Sequence, residues 1–303
     1  MSAHPSTSSA ARVRAATRAA LDPRVAASFW RRELLRYWRD RSQIFGGFSR
    51  TVLWLIILGF GLGAALREIE GYSYAQYILP GVVTLNVLFA SLQSAIAIVW
   101  DREVGLLREV VVSPAPMFSV ALGKVLGGAT VAMAQGTIPL LFAPIIGVQL
   151  SVTRVLLAWC VMLSMGVLLT SFGVIIAARM RTFEGFGSIS NGIIQPLYFL
   201  SGAIFPIRGI IGGVGFLAIP DALRLQLQKY GIYSIGSGWV VQLPIWLRVL
   251  VYANPVSYEL DLLRDVLLGF RQLIMAADLG VALGLPLIVT AVAARAMRRM
   301  YKR

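Results

Sequence analysis

Six runs of mainly apolar residues dominate this chain, and each is about the 20 residues a helix needs to cross a bilayer. They lie near Ile44–Leu66, Tyr77–Trp100, Phe118–Val148, Val155–Ala178, Gly187–Phe205 and Met275–Ala294. The third is longer than one span and reads as starting with a lead-in from the charged stretch before it. Of the 303 residues, 57% are hydrophobic and only 14% charged, with a mean hydropathy of +0.75. Soluble domains are about 45–50% apolar and about 25% charged. The surplus apolar surface must face lipid, so the expected fold is an all-α polytopic membrane protein.

The formal net charge of +14 matters through its placement. The first 43 residues carry nine arginines against Asp22, Glu33 and Asp40, and the tail after Ala294 carries Arg295, Arg298, Arg299, Lys302 and Arg303 with no acid. Basic flanks next to spans stay cytoplasmic, which places both termini inside and makes the span count even. No basic domain separates from the apolar body, so the charge does not read as a nucleic-acid surface. Residues 1–21 are Ala/Ser/Arg-rich without a continuous apolar core, unlike a secretory signal. They read as a flexible cytoplasmic tail, although Arg-rich, acid-poor leaders also resemble organelle transit peptides.

Asp22-Pro23 is a helix start, with Asp as cap and Pro in the first turn. From there to Phe45 the pattern is two-faced. Trp30, Leu34, Tyr37 and Trp38 fall on one side, and Arg32, Arg36, Arg39 and Asp40 on the other. Residues 22–45 are therefore expected as a helix in the membrane interface, aromatics in lipid and arginines in water; the plainer alternative is the basic cap of the first span. The membrane-spanning body then occupies 44–303.

The outer segment 207–271 is Gly-rich and moderately apolar. Gly209–Gly215 and Gly231–Gly238 read as turns, Ala222–Lys229 as a short helix, and Leu243–Tyr252 as suited to a membrane surface. Asn254-Pro255 opens a helix over Val256–Phe270, with Glu259, Asp261, Arg264 and Asp265 forming a charged side at the outer face.

Between the second and third runs lies a charged insert, Asp101–Pro116. Read as a helix, Asp101, Arg102, Gly105, Arg108 and Glu109 share one face, Val104, Leu107, Val110 and Val111 lie towards the other, and Glu103 is a carboxylate on the apolar side. Ser113-Pro114 and Pro116 end it. This is either a rigid amphipathic peg for a groove on a soluble partner or a solvated loop helix.

Polar side chains inside the spans pair by spacing. Asn86 and Gln93 are seven apart in the second run, and Asn191 and Gln195 four apart in the fifth. They read as lining a path or as interhelical hydrogen bonds. No Asp, Glu or His lies mid-span in the six runs, which argues against a proton relay. The small-residue pairs Gly59/Gly63, Gly123/Gly127 and Gly280/Gly284 read as close helix packing within the chain.

Catalytic signatures are missing from the sequence. Gly123-Lys124 lacks the upstream glycine and following Ser/Thr of a phosphate loop, and there is no His-Glu-x-x-His, Gly-x-Ser-x-Gly or Cys-x-x-Cys. The single Cys160 and single His4 exclude a disulfide framework and a Cys/His metal cluster.

Together, Asp101-Arg-Glu-Val-Gly-Leu-Leu-Arg-Glu-Val-Val-Val-Ser-Pro114, Gly123-Lys-Val-Leu-Gly-Gly-Ala-Thr130 with Gln135, Gln195-Pro-Leu-Tyr-Phe-Leu-Ser-Gly202 with Pro206, and Asn254-Pro-Val-Ser-Tyr258 with Asp261-Leu-Leu-Arg264 resemble a permease subunit of the type-2 ABC exporters, near the daunorubicin-resistance and nodulation-factor branch. The likeness runs from about Phe29 to the end, although 207–253 is longer than the usual outer loop. It implies a homodimer of six-span subunits in the inner (plasma) membrane, served by a cognate ABC ATPase chain that holds ATP and Mg²⁺, with no cofactor in this chain. It implies that 101–114 is the coupling helix, that Phe29–Phe45 is the interfacial connecting helix, and that the second and fifth spans line the path. The function so implied is export of an amphipathic, drug-like molecule. Export of a lipid-linked glycan or lipid, and a non-transporting scaffold or channel, are the alternatives.

Overall fold

The computed structural model describes residues 21–63, 68–69, 71–103, 116–180, 182–212, 232–235, 238–242 and 244–300. The protein is mostly helical. Helix α1 (Pro23–Arg39) starts where Asp22-Pro23 places it, with the Asp22 carboxylate accepting from Arg24 N at 2.9 Å. The two-faced helix expected over 22–45 breaks at Asp40. Its side chain caps a new helix, α2 (Arg41–Trp54), which continues in a wider π-helical winding over Leu55–Leu62.

Helix α3 (Tyr74–Glu103) has 30 residues and is the buried centre of the molecule. Helices α4 (Met117–Leu140) and α5 (Val152–Ala177) pack against it at very short range. A Cβ on Gly136 would fall 2.6–2.7 Å from Met162 and Val87, and one on Gly173 would fall 2.4 Å from Ala95. Small residues thus let three helices meet at their backbones. The expected pairs divide. Gly123 and Gly127 press on Ala26, Phe29 and Glu33 of α1, and Gly59 and Gly63 lie next to Ala75 and Tyr74, whereas Gly280 and Gly284 face open space. The surplus of the third run lies at its end, not at its start. Helix α4 begins at Met117, and residues 141–147 form turns around Pro144 after Pro139.

Among the described residues, five helices are long and apolar enough to cross a membrane: 41–62, α3, α4, α5 and α9 (Met275–Met300). The sixth expected run yields α6 (Phe183–Phe199), 17 residues or about 26 Å, short of the roughly 30 Å hydrocarbon core. It starts earlier than Gly187, where Thr182 caps Gly185 N, and ends earlier than Phe205, in a turn through Gly202 at φ +77°.

The chain is mostly helical as expected, but strands within 68–73 and 208–242 depart from that reading. Strands β1 (Glu68–Ile69), β2 (Tyr72–Ser73), β3 (Arg208–Gly212), β4 (Ile232–Ile235) and β5 (Gly238–Gln242) form one antiparallel sheet in the order β2-β1-β3-β5-β4, with Gly209 opposite Val241 and Ile69 opposite Ile211. Glycines that read locally as turns are thus partly strand residues, because pairing between distant segments overrides a local signal. The proposed helix at 222–229 lies outside the described residues. Helix α7 (Ile245–Ala253) is followed by α8 (Pro255–Leu268), which Asn254 caps at 3.0 Å from Val256 N and Gly269 ends in a left-handed conformation.

Two large apolar clusters fill the body, beside a small one of Ile207, Val251 and Leu273. One surrounds the first half of α3 with α8, and the other gathers the end of α3, the start of α4, the end of α5, Phe186 and the end of α9.

Candidate functional site

The charged insert begins inside the body. Asp101, in the last turn of α3, is buried and accepts from Lys124 Nζ of α4 at 2.7 Å and from Arg32 Nη2 of α1 at 2.6 Å. Lys124, 3% exposed, also stands 3.6 Å from Glu33 Oε1. Glu33, 2% exposed, pairs with Arg36 at 2.5 Å, an ionic contact whose angles do not make a hydrogen bond. Three elements are thereby joined through alternating charges. Burial of such groups is tolerated only because each has an opposite partner.

Arg102 Nη1 donates to Met180 O at 3.0 Å, tying α3 to the turn between α5 and α6. Glu103, the misplaced carboxylate of the sequence, has a clear local role. Its Oε1 accepts from Phe183 N at 3.1 Å, at the first residue of α6, where a helix offers free N–H groups and a positive dipole end. Trp100 and Phe183 close the same corner with ring centroids 5.6 Å apart. A cleft of about 580 Å³ lined by Trp100, Glu103, Thr182, Phe183 and Glu184 opens there. Gly105, Arg108 and Glu109 lie outside the described residues.

The aromatic face of α1 is not given wholly to lipid. Tyr37 is buried, and Trp30 Nε1 donates to Thr130 Oγ1 of α4 at 3.1 Å. Lys124 and Glu33 are the residues that sequence reasoning missed. Their one signal was a lone charge within an apolar run, and a lone acid at i−3 from Arg36 on a basic helix.

The polar residues of the spans separate into two groups. Asn86 is fully buried, donates to Thr51 Oγ1 and Val82 O at 3.0 Å, and accepts from Arg50 Nη2 at 3.2 Å. Arg50 also donates to Gln135, whose amide donates to Gln43 O; Gln43 in turn bonds Gln93. The Arg50 guanidinium lies over the Phe89 ring at 4.4 Å. Asn86 and Gln93 therefore belong to one network across α2, α3 and α4. Asn191 and Gln195 sit apart from it on the exposed side of α6.

At the other end of α3, Glu259, Asp261 and Arg264 on the charged side of α8 are buried, while Asp265 is part-exposed beside Arg271 at 3.5 Å. Arg264, fully enclosed, donates to Gly202 O at 2.8 Å, Tyr77 Oη at 3.2 Å and Gln272 Oε1 at 3.3 Å, and pairs with Asp261 at 3.4 Å. Asp261 accepts from Gln272 N and Leu273 N at 2.8–3.0 Å. Asn254 Nδ2 donates to Leu197 O at 2.6 Å, Pro255 occupies the first helical position, and Tyr258 Oη donates to Tyr252 O at 2.7 Å. This motif clamps α8 to α3, to the turn after α6 and to the loop before α9. It does not present charge to water.

Glu259 is also buried, with Ser164 Oγ 2.9 Å away. Ser164 has one hydroxyl hydrogen and donates it to Ala282 O at 2.6 Å. The same hydroxyl can donate instead to Glu259 Oε1; burial pushes that carboxyl up to about 8, against the lowering effect of the Ser164 bond.

Residues 26–219, well over half of the chain, match the ABC-2 type transporter family. The chain belongs to that family. It is 23% identical over 247 residues to Nodulation protein J of Rhizobium leguminosarum bv. viciae, covering 79% of this chain and 81% of the relative. It is 27% identical over 250 residues to Nodulation protein J of Azorhizobium caulinodans, covering 82% and 95%. With the inner membrane transport permease YadH of Escherichia coli it shares 26% over 192 residues, covering 59% and 71%. As an ABC-2 type protein with long apolar helices, it is a multi-pass membrane transport subunit. Both the Asp101 cluster and the Asn86 network lie within the matched stretch, and the Arg264 clamp straddles its end, with Tyr77 and Gly202 inside and Asp261, Arg264 and Gln272 beyond.

Proposed function

We propose that this ABC-2 subunit forms the membrane part of an ATP-driven exporter that moves an amphipathic or hydrophobic, drug-like molecule out of the cell. ATP and Mg²⁺ are held by a separate ATPase chain, two copies of this subunit form the pathway, and both termini lie on the ATPase side of the inner membrane. The observation that carries the reading is the wiring of the end of α3. A push on the insert reaches α1 and α4 through Asp101, the α5–α6 turn through Arg102, and α6 through Glu103. A solvated loop helix would need no such ties. The cleft beside Trp100 and Phe183 offers the partner a foothold at the same corner. The Arg50–Asn86–Gln135 network ties α2 to α3 and α4 and its hydrogen bonds break when the pathway opens, and Asn191 and Gln195 face the cargo from α6.

The test is the full complex with its ATPase in liposomes, challenged with a panel of amphipathic compounds and lipid-linked glycans. Stimulated ATP hydrolysis and transport by the amphipathic compounds support the proposal. Stimulation by the glycans alone moves the cargo to that class. Failure of an ABC ATPase to co-purify leaves a scaffold or channel.

A further inference from the structure

Helix α1 and the end of α3 enclose a groove of about 880 Å³ lined by Ser28, Arg31, Arg32, Leu35, Arg36, Arg39, Asp40 and Asp101. Four guanidiniums face two carboxylates there, so the lining carries an excess of positive charge. The arginines are not equivalent. Arg32 and Arg36 are held in place by Asp101 and Glu33. Arg31 and Arg39, on the row that Leu35 occupies, have no ion-pair partner among the described residues. The groove therefore combines two positioned cations, two available cations and an apolar wall.

Its surroundings indicate the depth at which it sits. Trp38 and Phe45 flank the break at Asp40 and are 76% and 70% exposed. Large aromatics left outside a protein at a helix corner, next to arginines, belong at the headgroup level of a bilayer. A volume of this size is in the range of ordinary ligand sites. It admits a phosphate with its glycerol, while Leu35 and the arginine stems accompany the start of an acyl chain.

We infer that this groove binds the phosphate of an anionic phospholipid from the inner leaflet, with Arg31 and Arg39 as its principal partners. The lipid would bridge the α1–α2 corner to the ion-paired end of α3, so the inference rests on the proposed inside placement of α1. An acidic face of a protein partner is the competing occupant. The aromatics exposed beside the arginines favour the lipid, since that combination marks the headgroup level of a bilayer.

The full chain, purified in detergent, is titrated with phosphatidylglycerol, phosphatidylcholine and soluble glycerol phosphate, and binding is read by native mass spectrometry. Phosphatidylglycerol should bind in preference to phosphatidylcholine and weaken as salt rises. The pair Arg31→Gln and Arg39→Gln should lower its affinity about 30-fold, from roughly fivefold per surface cation. Both residues are exposed, and an unchanged thermal transition shows the fold intact. The pair Arg31→Lys and Arg39→Lys should keep most of the binding. Equal phosphatidylglycerol binding by wild type and the glutamine pair overturns the inference. So does glycerol phosphate binding as tightly as the lipid, which marks a free-phosphate site. Loss of ATPase capture by the glutamine pair with lipid binding unchanged also overturns it and makes the groove a protein-docking face. The exporter reading is tested separately, by transport, and can fail without changing the lipid titration.

Discussion

Replacing Lys124 with methionine tests whether the charged cluster at the end of α3 holds the helices together. Methionine fits the space of the lysine stem and removes only the ammonium. The ammonium stands 2.7 Å from Asp101 and 3.6 Å from Glu33. At an effective dielectric of about 20 those contacts amount to about 6 and about 5 kcal/mol of gross attraction. Most of this is cancelled by the desolvation of a lysine that is 3% exposed. The cost of the substitution is then set by what remains. Glu33 keeps only Arg36, Asp101 keeps only Arg32, and two buried carboxylates face each other without the cation between them. Breaking a buried pair from one side costs about 3–5 kcal/mol, and the remaining arginines place this case at the lower end, about 3 kcal/mol. The assay is equilibrium unfolding in mixed detergent micelles, with Asp101→Asn and the double variant in a cycle. The double variant should recover at least about 1 kcal/mol relative to the sum of the single variants. A single variant within about 0.5 kcal/mol of wild type, or strict additivity, would refute the reasoning.

Arg264→Lys should destabilise the protein by about 3 kcal/mol, because a lysine cannot reach Gly202 O, Tyr77 Oη and Gln272 Oε1 together; unfolding of the purified variant measures this. Glu259 gives a pH dependence with a definite sign. Its carboxyl is raised from 4.5 to about 8 by burial, so its contribution is fully present below about 4.5, declines as pH rises, and is gone above about 8. Glu259→Gln should flatten that section of the stability profile, and an unchanged slope between pH 5 and pH 8, a window set by those two values, would show that the carboxyl is not protonated in the fold.

Five of the six expected spans were legible because a long apolar helix declares itself by length and apolar content, whereas α6, at 17 residues, is shorter than its apolar run. Asp22-Pro23 and Asn254-Pro255 were legible because a cap is local chemistry. Charged residues were harder to place. Glu33, Lys124, Glu259 and Arg264 are buried, and a hydropathy pattern assigns each to water. Their burial depends on partners between 3 and 187 residues away, as Arg264 shows with Asp261 and Tyr77. The sheet was missed for the same reason, since β1 pairs with β3 across more than a hundred residues. The helix over 22–45 was read as unbroken because Asp40 fits the polar side of α1, although it is also the cap of α2.

Coupling between the ATPase and the end of α3 is tested most directly by Arg102→Ala and Glu103→Ala together, in the full complex in liposomes. The two substitutions cut the ties to Met180 and Phe183 while leaving the Asp101 cluster whole. ATP hydrolysis should continue within about twofold of wild type while transport per ATP falls by about tenfold or more, an uncoupling of roughly 1.4 kcal/mol or more. Transport that stays proportional to hydrolysis at the wild-type ratio would contradict the account.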